Sequence, residues 1–120
     1  MTIGELSQKT EISAYTLRYY EKKGLIRVSR DAAGRREYDV SDVEWIRFIK
    51  RLKDTGMLLR DIRRYSDLRY LGDSTMARRM EMLEKHRGYV LAEQHRWEEH
   101  LRRLDDKIGI YRDRLRDEKE

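Results

Sequence analysis

Apolar residues in the first quarter of the chain fall at Ile3, Leu6, Ile12 and Leu17, separated by polar positions at helical rather than strand spacing. Thr2-Ile3-Gly4-Glu5 fits a capping box, in which the hydroxyl takes the third helical amide and the glutamate returns to the cap amide, so a helix is expected from Ile3. Thr10-Glu11-Ile12 breaks that helix, and Ser13 caps a second one running from Ala14 to about Lys23. Gly24 follows as a C′ residue free to take positive φ. Two short helices joined by a tight turn make a helix-turn-helix.

The pattern then changes. Leu25, Ile26 and Val28 give short β-like runs, and Asp31-Ala32-Ala33-Gly34 supplies turn chemistry before Arg35-Arg36-Glu37-Tyr38, so a small hairpin, or wing, is expected. Ser41-Asp42-Val43-Glu44 reads as another capping box, opening a helix with Val43, Ile46, Ile49 and Leu52 inward and ending at Gly56. A further helix is expected over Leu59 to Tyr70, with Ile62, Tyr65 and Leu68 or Leu71 inward, and Gly72-Asp73 marks a junction. The expected division is a head over residues 1–71 and a helical tail over 72–120.

In the tail, alternating steps of four and three connect Met76, Met80, Leu83, Arg87, Val90, Gln94, Trp97, Leu101, Leu104, Ile108, Tyr111 and Leu115, and ten of these twelve are apolar. A sustained period of 3.5 predicts a coiled coil. At about 1.5 Å per residue such a helix runs roughly 65 Å, against about 30 Å for the diameter of a 70-residue head, so most of the stripe needs another chain. The economical partner is a second copy related by two-fold symmetry. Met80, Leu83, Val90, Trp97, Leu101, Leu104, Ile108 and Tyr111 are the candidate dimerisation residues. Arg87 and Gln94 interrupt the seam and would fix its register, while Gly88 and Gly109 permit a local bend.

Composition narrows the function. Charged residues make up 42% of the 120, with 28 basic against 23 acidic. The excess lies in the head: residues 1–38 carry +3, residues 39–71 carry +2, and residues 72–120 are neutral. A basic head on a sign-alternating helical tail suits a polyanion. Cysteine is absent, which removes disulfides, thiolate chemistry and sulfur-ligated zinc. No apolar run is longer than Tyr89 to Ala92, so no membrane span or secretory segment is expected and the protein is expected in the cytoplasm. Neither a phosphate-cradling glycine loop nor a Ser/His/Asp arrangement is present, so catalysis is not expected. His86, His95 and His100 are spaced so that one helix cannot converge them, and Met76 and Met80 share a face but occupy seam positions; no metal or cofactor is expected. Trp45 and Trp97 would line a small effector pocket or, on the preferred reading, simply pack.

Ile3-Gly4-Glu5-Leu6, Ser13-x-x-Thr16-Leu17-Arg18-Tyr19-Tyr20-Glu21, Gly24-Leu25-Ile26, Gly34-x-Arg36-x-Tyr38 and Thr55-Gly56-Met57 stand in order ahead of a coiled coil. In this the chain strongly resembles the MerR family of bacterial transcription regulators. Leu104-x-x-Lys107-Ile108-x-x-Tyr111 is similar to the small members that lack a separate ligand domain. The resemblance implies a mainly α fold with a winged helix-turn-helix head and an antiparallel coiled-coil homodimer. It also implies a dyad operator in promoter DNA that is bent and untwisted to control transcription, RNA polymerase as the partner at that promoter, and an effector whose identity the sequence leaves open.

The second helix is the one to place in the major groove, with Tyr15, Thr16, Arg18, Tyr19, Lys22 and Lys23 outward. Arg18 would bridge a phosphate or read guanine as a bidentate fork, unless it pairs internally with Glu21 or Glu5. Thr16 and Tyr19 are assigned to phosphate, and Tyr20 to the core. Arg35, Arg36 and Tyr38 would touch backbone beside the groove, as the matching residues of the family do, with Tyr38 alternatively stapling the wing to the head. Lys53, Arg60 and Arg63 are candidates for an outer clamp.

Three departures from the family pattern stand out. Arg27-Val28 occupies positions where prolines often fix the exit from the recognition helix, which predicts a looser wing. Leu58 stands where a Ser or Thr cap is usual. Ile49-Lys50-Arg51-Leu52 holds no counterpart of the cysteine that thiol-responsive small members carry, so thiol sensing at that place cannot operate. A protein-binding adaptor with the same head, or a recombination or excision accessory factor, are the competing functions, and the cationic outward face of the second helix favours DNA.

Overall fold

In a computed structural model of the chain, which describes residues 1–119, the elements follow as α1 (Ile3–Thr10), α2 (Ala14–Lys22), β1 (Ser29–Arg30), β2 (Arg36–Glu37), α3 (Val40–Asp54), α4 (Leu59–Leu71) and α5 (Met76–Lys119), with a 3-10 turn at Asp73–Thr75. The mainly helical winged helix-turn-helix followed by a long helix is as the sequence predicts. Among the described residues no helix is long and apolar enough to cross a membrane.

The turn between α1 and α2 is tied from both sides. Thr2 Oγ1 accepts the Glu5 N–H at 3.2 Å, but the other half of the expected box is replaced: the Thr2 hydroxyl donates to the Glu5 carboxylate at 3.3 Å. At the far end the Ser7 hydroxyl donates to the Ile12 carbonyl at 2.6 Å, and the buried Thr10 hydroxyl donates to the Leu6 carbonyl at 2.8 Å. These bonds hold Glu11 in the left-handed region at φ 58, a conformation that costs a non-glycine residue free energy. Ser13 Oγ then accepts the Thr16 N–H at 3.1 Å and starts α2, as expected. Gly24 ends it at φ 76.

β1 and β2 pair antiparallel, with Ser29 opposite Glu37 and Arg30 opposite Arg36. Asp31 makes the turn by accepting the Ala33 and Arg35 N–H groups, both at 2.9 Å, and Gly34 sits at φ 79.

The capping of α3 corrects the sequence reading. The cap is Asp39, not Ser41: its carboxylate accepts the Asp42 N–H at 3.1 Å while the Asp42 carboxylate accepts the Asp39 N–H at 2.9 Å. Ser41 serves this cap, donating its hydroxyl to Asp39 at 2.6 Å. A carboxylate one turn upstream is the stronger acceptor, and the helix starts with it. Those hydrogen bonds, the Ser41 hydroxyl first, lower the Asp39 pKa, whereas burial raises that of Asp42. Leu58 makes no side-chain cap to α4, as its apolar side chain predicts.

Leu6, Leu17, Leu25, Ile46, Ile49 and Ile62 are fully buried together with Ile12, Tyr20, Val43, Trp45, Leu52 and Tyr65, which matches the expected inward stripes. Leu71 is exposed, and Leu68 is half-buried. Trp45 packs: its ring stacks on Tyr65 at 5.6 Å between centroids, and its Nε1–H donates to the Leu25 carbonyl at 3.0 Å.

The chain divides into two compact units, Met1–Leu83 and Glu84–Glu120, so the first two turns of α5 belong with the head beyond the Gly72 junction. Thr75 anchors them, donating its hydroxyl to the Leu68 and Gly72 carbonyls. Met82 and Leu83 pack against the head core. Along the rest of α5 no residue is buried within the single chain: Trp97 is 69% exposed and Leu104 61%, and Leu101, Ile108, Tyr111 and Leu115 are exposed with them.

Candidate nucleic-acid interface

The helical period decides what α2 shows to its surroundings. Leu17 and Tyr20 turn into the core, which leaves Tyr15 80% exposed and Arg18, Tyr19, Lys22 and Lys23 on the open face. Thr16 is half-buried, and its hydroxyl oxygen accepts the Ser13 hydroxyl at 2.9 Å. Lys23 Nζ lies 5.6 Å from the Tyr19 ring centroid. Lys53 reaches α2 from α3, with Nζ 5.1 Å from the ring of the buried Tyr20.

Arg18, by contrast, makes no ion pair among the described residues. The two carboxylates that the sequence offers it as partners are engaged elsewhere: Glu5 with Thr2, and Glu21 with the wing. Arg36 Nε stands 2.8 Å from Glu21 Oε2, and Arg30 stands 3.7 Å from Glu21 Oε1. One glutamate of α2 thus holds both strands of the hairpin. Its hydrogen bond raises the Arg36 pKa further above an already high value.

The wing residues expected from sequence separate into three environments. Arg35 is exposed, with only a long contact to Asp31 at 3.9 Å. Arg36 is partly covered by its pairing with Glu21. Tyr38 is 4% exposed and fixed through its backbone to the chain terminus: the Met1 ammonium donates to the Tyr38 carbonyl at 2.8 Å, and the Tyr38 N–H donates to the Met1 carbonyl at 3.2 Å. Burial raises its phenol pKa, so the hydroxyl stays protonated at neutral pH. This is the stapled arrangement rather than an open phenol beside a groove.

Arg60 is exposed at the start of α4. Arg63 lies over Gly24, where a Cβ would come within 3.2 Å of its Nε. Sequence spacing misses Glu21, Arg30 and Arg27, because their partners lie in other elements: Arg27 pairs with Asp67 at 3.6 Å and stacks on Tyr70 at 4.8 Å. Among the described residues no group of three or more His, Asp or Glu side chains is placed to hold a metal ion.

Comparison with known proteins agrees with this geometry. The family model described as "MerR HTH family regulatory protein" matches residues 1–68, and "MerR, DNA binding" matches residues 43–107. A Haemophilus influenzae protein described as an uncharacterised HTH-type transcriptional regulator is 35% identical over 111 residues, covering 92% of this chain and 82% of the relative. The crystal structure of HiNmlR, a MerR family regulator lacking the sensor domain, bound to promoter DNA, superposes with a TM-score of 0.82 at 35% identity, covering 92% of this chain and 89% of that one. A putative MerR family transcriptional regulator from Listeria monocytogenes gives a TM-score of 0.87 at 35% identity, covering 92% and 85%. The chain belongs to the MerR family of helix-turn-helix transcriptional regulators.

Proposed function

We propose that the protein binds a dyad operator in promoter DNA as a homodimer, with α2 of each copy in the major groove, and distorts the duplex to control transcription by RNA polymerase. The observation that carries this reading is the Arg18 guanidinium, exposed on α2 with its neighbouring carboxylates already taken. An uncommitted guanidinium fork can read guanine O6 and N7, and Thr16, Tyr19, Lys22, Lys23 and Arg35 surround it with phosphate-directed groups. Arg36 and Tyr38 serve the wing from behind: Arg36 ties it to α2, and Tyr38 fixes its end to Met1. Lys53 and Arg60 extend the cationic surface. The stripe on α5 formed by exposed Met80, half-buried Val90 and exposed Trp97, Leu101, Leu104, Ile108 and Tyr111 is the dimerisation face, and half-buried Leu83, which packs against the head core, begins it. That HiNmlR, similar in fold at 35% identity, is solved bound to promoter DNA supports the reading.

The test is Arg18→Ala, measured by fluorescence anisotropy on a duplex selected from a randomised pool with the wild-type protein. Affinity falls roughly five- to a hundredfold with helicity unchanged. Equal affinity removes Arg18 from the interface.

A further inference from the structure

The chain leaving α2 lacks the prolines that would fix it, yet in the structure it is tied down. The Leu25 carbonyl accepts two hydrogen bonds, from Trp45 Nε1 at 3.0 Å and from the Ser66 hydroxyl at 2.7 Å. Two residues on, the Arg27 N–H donates to the Tyr70 hydroxyl at 3.0 Å. The Arg27 guanidinium lies 4.8 Å from the Tyr70 ring centroid and 3.6 Å from the Asp67 carboxylate. Arg69 stacks between Tyr70 and Trp45, 5.1 and 4.7 Å from their centroids, and so steadies the Tyr70 ring.

Only Val28 separates Arg27 from β1, so the chain direction at this point sets where the hairpin begins. Residue 27 makes this bond only because it has an amide hydrogen, which a proline would not. Tyr70 lies in the last turn of α4, 43 residues away in sequence.

We propose that Tyr70 is a positioning residue for DNA binding: its hydroxyl takes the Arg27 N–H and aims the wing, a tertiary hydrogen bond supplying the restriction that a chain without proline cannot build into its backbone. Tyr70 itself touches no DNA. The inference rests on the duplex-binding reading above and adds to it a coupling between the end of α4 and the wing. Because the 3-10 turn and α5 begin immediately after Gly72, a change in the last turn of α4 moves the acceptor of this bond and with it the wing root.

Tyr70→Phe keeps the ring and its cation stacking but removes the acceptor. Amide exchange at Arg27, followed by NMR on the full chain without DNA, is faster in the variant. On the selected duplex its affinity falls about three- to tenfold, and the slope of log affinity against log salt becomes shallower by about one for each wing phosphate lost. In an Arg27→Pro background, where residue 27 has no N–H to donate, Tyr70→Phe causes no further loss. Unchanged Arg27 exchange, or a wild-type salt slope in Tyr70→Phe, overturns the proposal, as does an equal loss in both backgrounds. A wild-type chain that shows no salt-dependent duplex binding sinks the DNA-binding reading instead, and the Arg27 exchange then still decides whether Tyr70 fixes the wing root.

Discussion

Arg36 of the wing takes the Glu21 carboxylate at 2.8 Å, and by doing so it withholds that carboxylate from Arg18, its neighbour one helical turn away on α2. Residues three apart on a helix are placed to pair, so the Arg18–Glu21 contact is the default for this sequence. The tertiary bond wins because Glu21 is only about a quarter exposed and Arg36 a third, while Arg18 stands in open solvent where a surface pair contributes little. A single carboxylate therefore does two things: it stations the wing and it leaves Arg18 uncommitted.

Glu21→Ala should separate these roles. With the carboxylate gone, Arg30 and Arg36 are free for phosphates and one negative charge leaves the face. Binding to random duplex tightens and its salt slope steepens by about one per phosphate gained. Discrimination between selected and random duplex narrows, since the wing is no longer stationed. Anisotropy titrations of both duplexes at several salt concentrations check this; weaker binding with a shallower slope contradicts it.

The exposed stripe of α5 predicts its own disruption. Burying a leucine contributes roughly 1.5–3 kcal/mol, and two-fold symmetry counts each substitution twice. Leu101→Asp or Leu104→Asp should lower dimer stability by roughly 3 kcal/mol or more and give monomers by light scattering. A persisting dimer would mean that another face joins the copies.

The α3 cap predicts opposite responses to acid from its two aspartates. Asp39 has a lowered pKa in the folded chain, so its contribution is fully present above the unfolded value of about 3.9 and is lost as pH falls through the folded value. Asp42 has a raised pKa, so its charge opposes folding at neutral pH and that cost fades as pH falls through the carboxylate range. Asp39→Ala should melt lower than wild type at pH 7 and converge with it below about pH 4. Asp42→Asn keeps an acceptor for the Asp39 N–H, should melt no lower at pH 7, and should lose any advantage on acidification. Thermal midpoints followed by circular dichroism between pH 3 and 7 test both signs.

Much of this was legible in local spacing. Ser13 three residues before the Thr16 amide, Gly24 after the last helical turn, and Val43, Ile46, Ile49 and Leu52 on one stripe each carry their structure in a few neighbouring residues. The cap of α3 was misplaced because two overlapping boxes, at Asp39 and at Ser41, compete within one turn, and motif matching has no term for the stronger acceptor. At the candidate site, the exposure of Arg18 and Lys22 followed from periodicity. The partners of Glu21, Tyr38 and Tyr70 did not: their contacts close over 15, 37 and 43 residues, which only the folded chain brings together. The contact that ties Arg27 down, the Tyr70 hydroxyl, is likewise invisible to local spacing.

The central claim is that two copies of a cationic head neutralise duplex phosphates together. It is tested most directly by the salt dependence of binding of the full chain to its selected duplex, with stoichiometry measured in the same titration. The account predicts two chains per duplex and a log–log slope of about −3.6 or steeper, from roughly −0.9 per phosphate and two or more phosphates on each of two heads. A flat salt response, or one chain per duplex, contradicts it.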